Sequence, residues 1–228
     1  MRNKIILIVS ILCFSALNMF AQNQDSTRVG STPKKGMDRI TLSSISISGG
    51  YYKPSMNYWN NTFLPVANTS ERFGGSSILG CNVSFDFPLN LGIRIGAWYW
   101  GDKVNGVTAS SFNSLKVNFT SILAGVYYTY DKGFYGLKPY FGIDGNYLMI
   151  QDKYDTNESV VNKSGNDVVF TPFIGINKVI SDKILIGIEY GYFMGSYIQD
   201  VQITSGTSGA DVDIKGSKIQ FTIGYKFR

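Results

Sequence analysis

The segment LGIRIGAWYW, from Leu91 to Trp100, constrains the fold more than any other stretch of the chain. Successive side chains of a strand point to opposite faces. Leu91, Ile93, Ile95, Ala97 and Tyr99 therefore share one face, and Gly92, Arg94, Gly96, Trp98 and Trp100 the other. The first face is apolar throughout. The second mixes an arginine with glycines and tryptophans. A strand buried on both faces cannot leave that charge unpaired, because an uncompensated buried ion is costly. A closed barrel in lipid accommodates both faces, with hydrocarbon outside and a polar interior inside.

The same alternation recurs. Ile219, Phe221, Ile223, Tyr225 and Phe227 oppose Lys218, Gln220, Thr222, Gly224 and Lys226 near the C-terminus. Ile184, Ile186, Ile188, Tyr190 and Tyr192 oppose Leu185, Gly187, Glu189, Gly191 and Phe193. Read this way, the chain is all-β, with strands expected at 40–52, 76–87, 91–101, 115–130, 137–151, 167–179, 183–199 and 215–227. Three of them read less cleanly. Ile40 and Leu42 lie out of phase with Ile45 and Ile47, the strand at 115–130 changes phase near Thr120 and Ser121 as a bulge would, and Pro172 is unusual inside a strand. Short connections (PLN, DKGFYG, SDK) alternate with long ones at 53–75, 102–114, 152–166 and 200–214. That alternation predicts an eight-stranded antiparallel up-and-down transmembrane β-barrel, with short periplasmic turns and longer extracellular loops. A soluble barrel or sandwich would use the apolar face as its core. The sparse charge on the opposite face argues for lipid instead.

The N-terminus MRNKIILIVSILCFSALNMFAQ has two early cations, an apolar run and Ala21 before a cleavage point, the pattern of a secretory signal peptide over 1–21. Residues 22–38 read as a flexible periplasmic leader and 39–228 as the barrel. The chain holds 21 basic and 16 acidic residues, and removing Arg2 and Lys4 leaves 19 against 16. That balance is too mild to imply nucleic acid as a partner. Cleavage also leaves Cys81 as the only cysteine, so no intramolecular disulfide is expected. Histidine is absent, which removes Ser-His and Cys-His nucleophile pairs and the commonest zinc ligand. No enzyme, metal or cofactor is expected.

With its signal peptide, alternating strands and C-terminal IQFTIGYKF, the chain over about 39–228 resembles the small outer-membrane β-barrel family of Bacteroidetes-type bacteria. More distantly it resembles the OmpX, OmpW and OmpA transmembrane domains. The resemblance implies the outer membrane as location, its lipid as partner, and recognition of the strand at 215–227 by the barrel-assembly machinery. Such proteins usually end in an aromatic residue. Here Phe227 is penultimate, before Arg228.

Strand parity places Arg94, Asp144 and Glu189 in the lumen, with Asp86, Lys116 and Lys218 as further candidates. They are expected to fill the interior as ion pairs, or to form a gate. The glycines beside Arg94 are expected to make room for its side chain. Tyr58, Trp59 and Phe63 in the first long connection are expected either in an interfacial aromatic girdle or on a contact surface. Among later acidic residues, Asp152, Asp155, Glu158, Asp211 and Asp213 match no calcium loop and read as solvated charge. Val201, Ile203, Val212 and Ile214 predict a hairpin continuing the last two strands. The functional expectation is a non-enzymatic barrel serving envelope integrity or surface interaction through its loops. The alternative is a narrow transport barrel for a small solute, hydrophobic ones included.

Overall fold

A computed structural model describes residues 40–67, 69–106, 112–157, 159–203 and 206–227. One compact unit runs from Arg39 to Arg228. The signal peptide, the leader and Glu158 lie outside the described residues.

Eight strands close into an antiparallel barrel. They are β1 (Thr41–Pro54), β2 (Ser76–Asp86), β3 (Leu91–Asn105), β4 (Phe112–Thr129), β5 (Leu137–Thr156), β6 (Val160–Ile180), β7 (Ile184–Phe193) and β10 (Gly216–Lys226). Around the ring they follow chain order, and β10 returns to pair with β1, Ser44 opposite Lys226 through Pro54 opposite Gly216. A separate two-stranded hairpin, β8 (Ser196–Ile203) and β9 (Gly206–Asp213), interrupts the meander between β7 and β10. The expected strand at 183–199 is therefore broken at Gly195, and the hairpin does not continue the barrel ladder.

Closure gives every strand of the ring a hydrogen-bonded neighbour on both sides, with no terminal edge strand, which lets a sheet stand in hydrocarbon. The outward residues are those of the apolar phase. Ile47, Ile174 and Phe221 expose 63%, 58% and 64% of their surface, although none is near an interior. The tight turn between β6 and β7 puts Ser181 and Asp182 at φ of 52° and 62°. Positive φ at both central residues is the primed geometry whose twist matches the flanking strands.

Local irregularities in the sequence have specific causes. β1 and β2 shift register between Leu42 and Ser44, so one extra residue reconciles the two phases of β1. The bulge expected near Thr120 is absent: β4 pairs without interruption from Ser114 to Tyr128 on both sides. The phase change instead marks two environments on one strand. Val117 and Phe119 are buried inside, while Ile122 and Val126 are exposed outside. Pro172 lies just past the end of the β6–β7 ladder, whose last pair is Phe173 with Gly191. A proline is tolerated beside an unpaired edge.

Two of the long connections prove shorter than expected because the strands rise past the apolar belt. β5 extends to Thr156 and β6 begins at Val160, so most of 152–166 is a hairpin rather than a loop. β3 likewise runs to Asn105 and β4 starts at Phe112.

Candidate functional site

The lumen has three tiers. At mid-height sits an ion cluster. Arg94 on β3 donates from Nε and Nη2 to Asp144 Oδ1 and Oδ2 at 2.8 and 2.6 Å, a fork on β5. The same guanidinium donates from Nη1 to Glu189 Oε2 on β7 at 2.5 Å and from Nη2 to Oε1 at 3.2 Å. Lys218 Nζ on β10 lies 3.3 Å from Glu189 Oε1, and Tyr140 OH donates to Glu189 Oε2 at 3.2 Å. The guanidinium also lies over the Phe173 ring, 3.6 Å from its centroid. All four charged residues are buried, and two cations balance two anions. Each charge is thus compensated where it is dry, the condition for tolerating buried ions at all.

Parity brought Arg94, Asp144, Glu189 and Lys218 inward, and the structure gathers them. Asp86 stands apart from this cluster, paired with Lys226 at 2.8 Å. Lys116 is a correction. It pairs with Lys103 and Lys153 on the outward face of the wall, because β4 has no bulge to turn it inward. The glycines of β3 also act differently from expectation. A Cβ at Gly92 would strike the Tyr127 ring and one at Gly96 the Asn82 amide, so they make room for those neighbours rather than for Arg94. Glycines that fit the cluster are Gly125 on β4, opposite Asp144, where a Cβ would collide with Oδ1, and Gly191 on β7, where one would press on the Lys218 stem.

Toward the short-turn end lies a cavity of about 260 Å³, lined by Ser44, Ser46, Ser48, Asn82, Thr222 and Tyr127 among others. Hydroxyls, amides and charged groups share its lining with apolar side chains such as Phe87, Leu123 and Leu185, and the ion cluster forms its floor.

Toward the long-loop end the lumen is filled. Trp98, Trp100, Phe119, Leu148, Ile150 and Phe193 point inward from four strands and are buried. Trp100 and Phe119 stack with centroids 4.9 Å apart. The segment after β1 folds over this plug in two short helical turns, Trp59–Phe63 and Leu64–Val66, burying Met56, Trp59 and Leu64. From the other side the β8–β9 hairpin and its exit contribute Tyr197, Val212 and Ile214. Trp59 Nε1 donates to Tyr197 OH at 3.1 Å, and Tyr197 OH donates to Asp152 Oδ2 at 3.1 Å. Met56 N and Ser55 N each donate at 2.8 Å, to Asp213 O and Lys215 O respectively.

This corrects two expectations. Trp59 belongs to neither a girdle nor a contact surface: it is packed edge-on between Tyr58 and Phe63 beneath the cap. Phe63 in turn meets Phe112 and Tyr154, and Tyr58 is half-buried. Asp152 is not solvated loop charge either. It is buried under the hairpin, with Oδ1 lacking a hydrogen-bond partner among the described residues. It lies above the apolar belt, between outward Gln151 and Lys153, and burial pushes its carboxyl up to about 7. The signal missed in the sequence was an acid at an inward position, in phase with Leu148 and Ile150.

No family model matches the chain, and no curated protein matches it. Solved structures do. The outer membrane protein OprG from Pseudomonas aeruginosa is 14% identical, with 84% of this chain and 99% of that one covered at a TM-score of 0.61. Outer membrane protein W of E. coli aligns at 13% identity over 82% and 99%, TM-score 0.45. Neisserial surface protein A aligns at 13% over 82% and 97%, TM-score 0.46. With an apolar outer wall, a charged and plugged lumen and eight meandering strands, the chain has the fold of the small outer-membrane β-barrels.

Proposed function

We propose that this chain is a non-enzymatic integral protein of the bacterial outer membrane, acting in envelope integrity or surface interaction through its long-loop end. In this reading segment 1–21 directs export, 22–38 is a periplasmic leader, and the strand at 215–227 is read by the barrel-assembly machinery. The observation that carries the proposal is the filled upper lumen: buried aromatic rings under a two-part cap leave the loop surface as the working face. Planar-bilayer recording of the refolded protein tests it. The expected result is no steady conductance, and a stable open level at neutral pH overturns the proposal.

A second reading, a narrow transporter of a small hydrophobic solute, is favoured by one observation. Above Phe173, among the described residues, β6 pairs with the β7 side only through the bridge of Phe170 with Met194. The wall there is held by few backbone bonds, with β8 packed against β6, and in this reading that seam parts to let the solute leave sideways. Uptake of a small hydrophobic dye into proteoliposomes, against protein-free vesicles, decides between the two readings.

A further inference from the structure

Three lysines stand in one cross-strand row on the outside of the barrel. Lys103 on β3 is paired with Lys116 on β4, and Lys116 with Lys153 on β5. Directly opposed side chains have Cβ atoms about 4.5–5.5 Å apart, and like charges so placed destabilise the sheet. No carboxylate relieves them. Among the described residues none of the three forms an ion pair. Asp155 on the same face is two residues above Lys153 and accepts from Asn113 Nδ2 at 3.4 Å. Asp102, beside Lys103 in sequence, faces the other way and accepts Lys103 N at 2.8 Å.

The height of the row identifies what it meets. Below it on the outward face come Gly101, Asn118 and Gln151, and then the row of Tyr99, Thr120 and Met149, where apolar groups begin. Four residues of tilted strand raise the lysines ~10 Å above that row, from ~3.3 Å per residue at a tilt of ~40°. With hydrocarbon ending near Tyr99, the headgroup layer reaches about 5–7 Å above that row, so the lysine backbone stands just over it and the flexible side chains reach its phosphates by bending back toward the bilayer. The three lysines stand on the outward face of the wall, the face that meets lipid lower down. Asn118, Gln151 and Asn162, which pairs with Lys153, surround the cations with amide donors.

We propose that Lys103, Lys116 and Lys153 form a binding site for the phosphate groups of anionic lipid in the outer leaflet, an inference that rests on the outer-membrane reading above. A phosphate seated between two lysines neutralises their repulsion, and the flanking amides take its remaining oxygens or the hydroxyls of an attached sugar. The lipid thereby clamps β3, β4 and β5 at the level where they leave the bilayer.

The test uses the full refolded chain in micelles and native mass spectrometry, with a bisphosphorylated acylated glucosamine disaccharide as the probe lipid. Its monophosphoryl form and phosphatidylcholine serve as comparisons. The expected order of retention is two phosphates, then one, then the zwitterion. The variant K103Q/K116Q/K153Q should lose about fivefold in affinity per lysine removed. The variant K132Q/K178Q/K183Q, with the same charge change at the short-turn end, should bind as wild type. Equal loss in both variants, or none in the first, overturns the site. Displacement of the probe by inorganic phosphate or by a sulfated oligosaccharide at equal concentration overturns its assignment to lipid. Heat-modifiable mobility of the first variant on gels reports the barrel independently. A folded barrel without lipid retention marks loss of this site alone, and failure of the wild-type chain to partition into membranes marks failure of the outer-membrane reading.

Discussion

Arg94 and Glu189 meet at 2.5 Å across the full width of the barrel, from strands four places apart in a ring of eight. Asp144 holds the same guanidinium from a third strand. The contact ties opposite walls together, so its removal is felt by the whole barrel. Arg94→Ala should destabilise by about 3–5 kcal/mol, because Asp144 and Glu189 are then buried with one cation, Lys218, between them. Glu189→Gln should cost a similar amount. The double variant should cost less than the sum, since the cluster then keeps one cation and one anion, Lys218 and Asp144, instead of carrying a net buried charge. Ile93→Arg, one residue away on the lipid side, should cost about 2–4 kcal/mol near the midplane. Reversible denaturant unfolding of the protein refolded in bilayers measures all four. Additive losses would show that the pair is not coupled.

A methyl group at Gly125 has nowhere to go. Gly125→Ala drives a Cβ into Asp144 Oδ1, and the carboxylate cannot retreat without leaving Arg94. Overpacking of this kind costs about 1–3 kcal/mol. The same unfolding assay should find Gly125→Ala destabilised while Ala124→Gly, on the outward side of β4, changes less than half as much.

The cap should loosen as pH rises. Asp152 moves from an ordinary value of 3.8 up to about 7 by burial, against a smaller opposing effect of the Tyr197 hydroxyl. A carboxyl with a raised folded value favours the closed cap when protonated. Closed-state stability is therefore full below about 4, falls as pH climbs to about 7, and stays low above that. The ceiling on this change is about 4 kcal/mol, at about 1.4 kcal/mol per pH unit. Hydrogen exchange of the cap backbone around Trp59 and Tyr197 should be faster at pH 8 than at pH 5 after correction for intrinsic rates. Asp152→Asn should flatten the difference; a pH response unchanged by that substitution would discard Asp152 as its source.

The long connections should face the medium. In a Cys81→Ser background, a cysteine at Asn157 should label with an impermeant thiol reagent on whole cells, and one at Lys132 should not. The reverse pattern would invert the topology and, with it, the placement of the lysine row.

Which residues face which side was legible in the sequence wherever one strand kept one environment. β7 and β10 keep their apolar face outward along their whole length, so parity alone set Glu189 and Lys218 inside. The barrel and its inward charges follow from period-two alternation, which depends only on the strand's own geometry. β4 defeated the same argument. It leaves the apolar belt part-way along, and there the apolar phase moves inside to fill the lumen at Val117 and Phe119. Seen locally, that exchange looks like a bulge, and it sent Lys116 to the wrong face. Which cations and carboxylates meet also required the closed ring, since Arg94 and Glu189 are 95 residues apart. The cap was hidden for the same reason: Trp59, Tyr197 and Asp152 are joined only once β5, β8 and the turn after β1 converge over the plug. Alternation is a property of one strand, and the sequence by itself determined it; partner choice is a property of closure, and only the tertiary structure decided it.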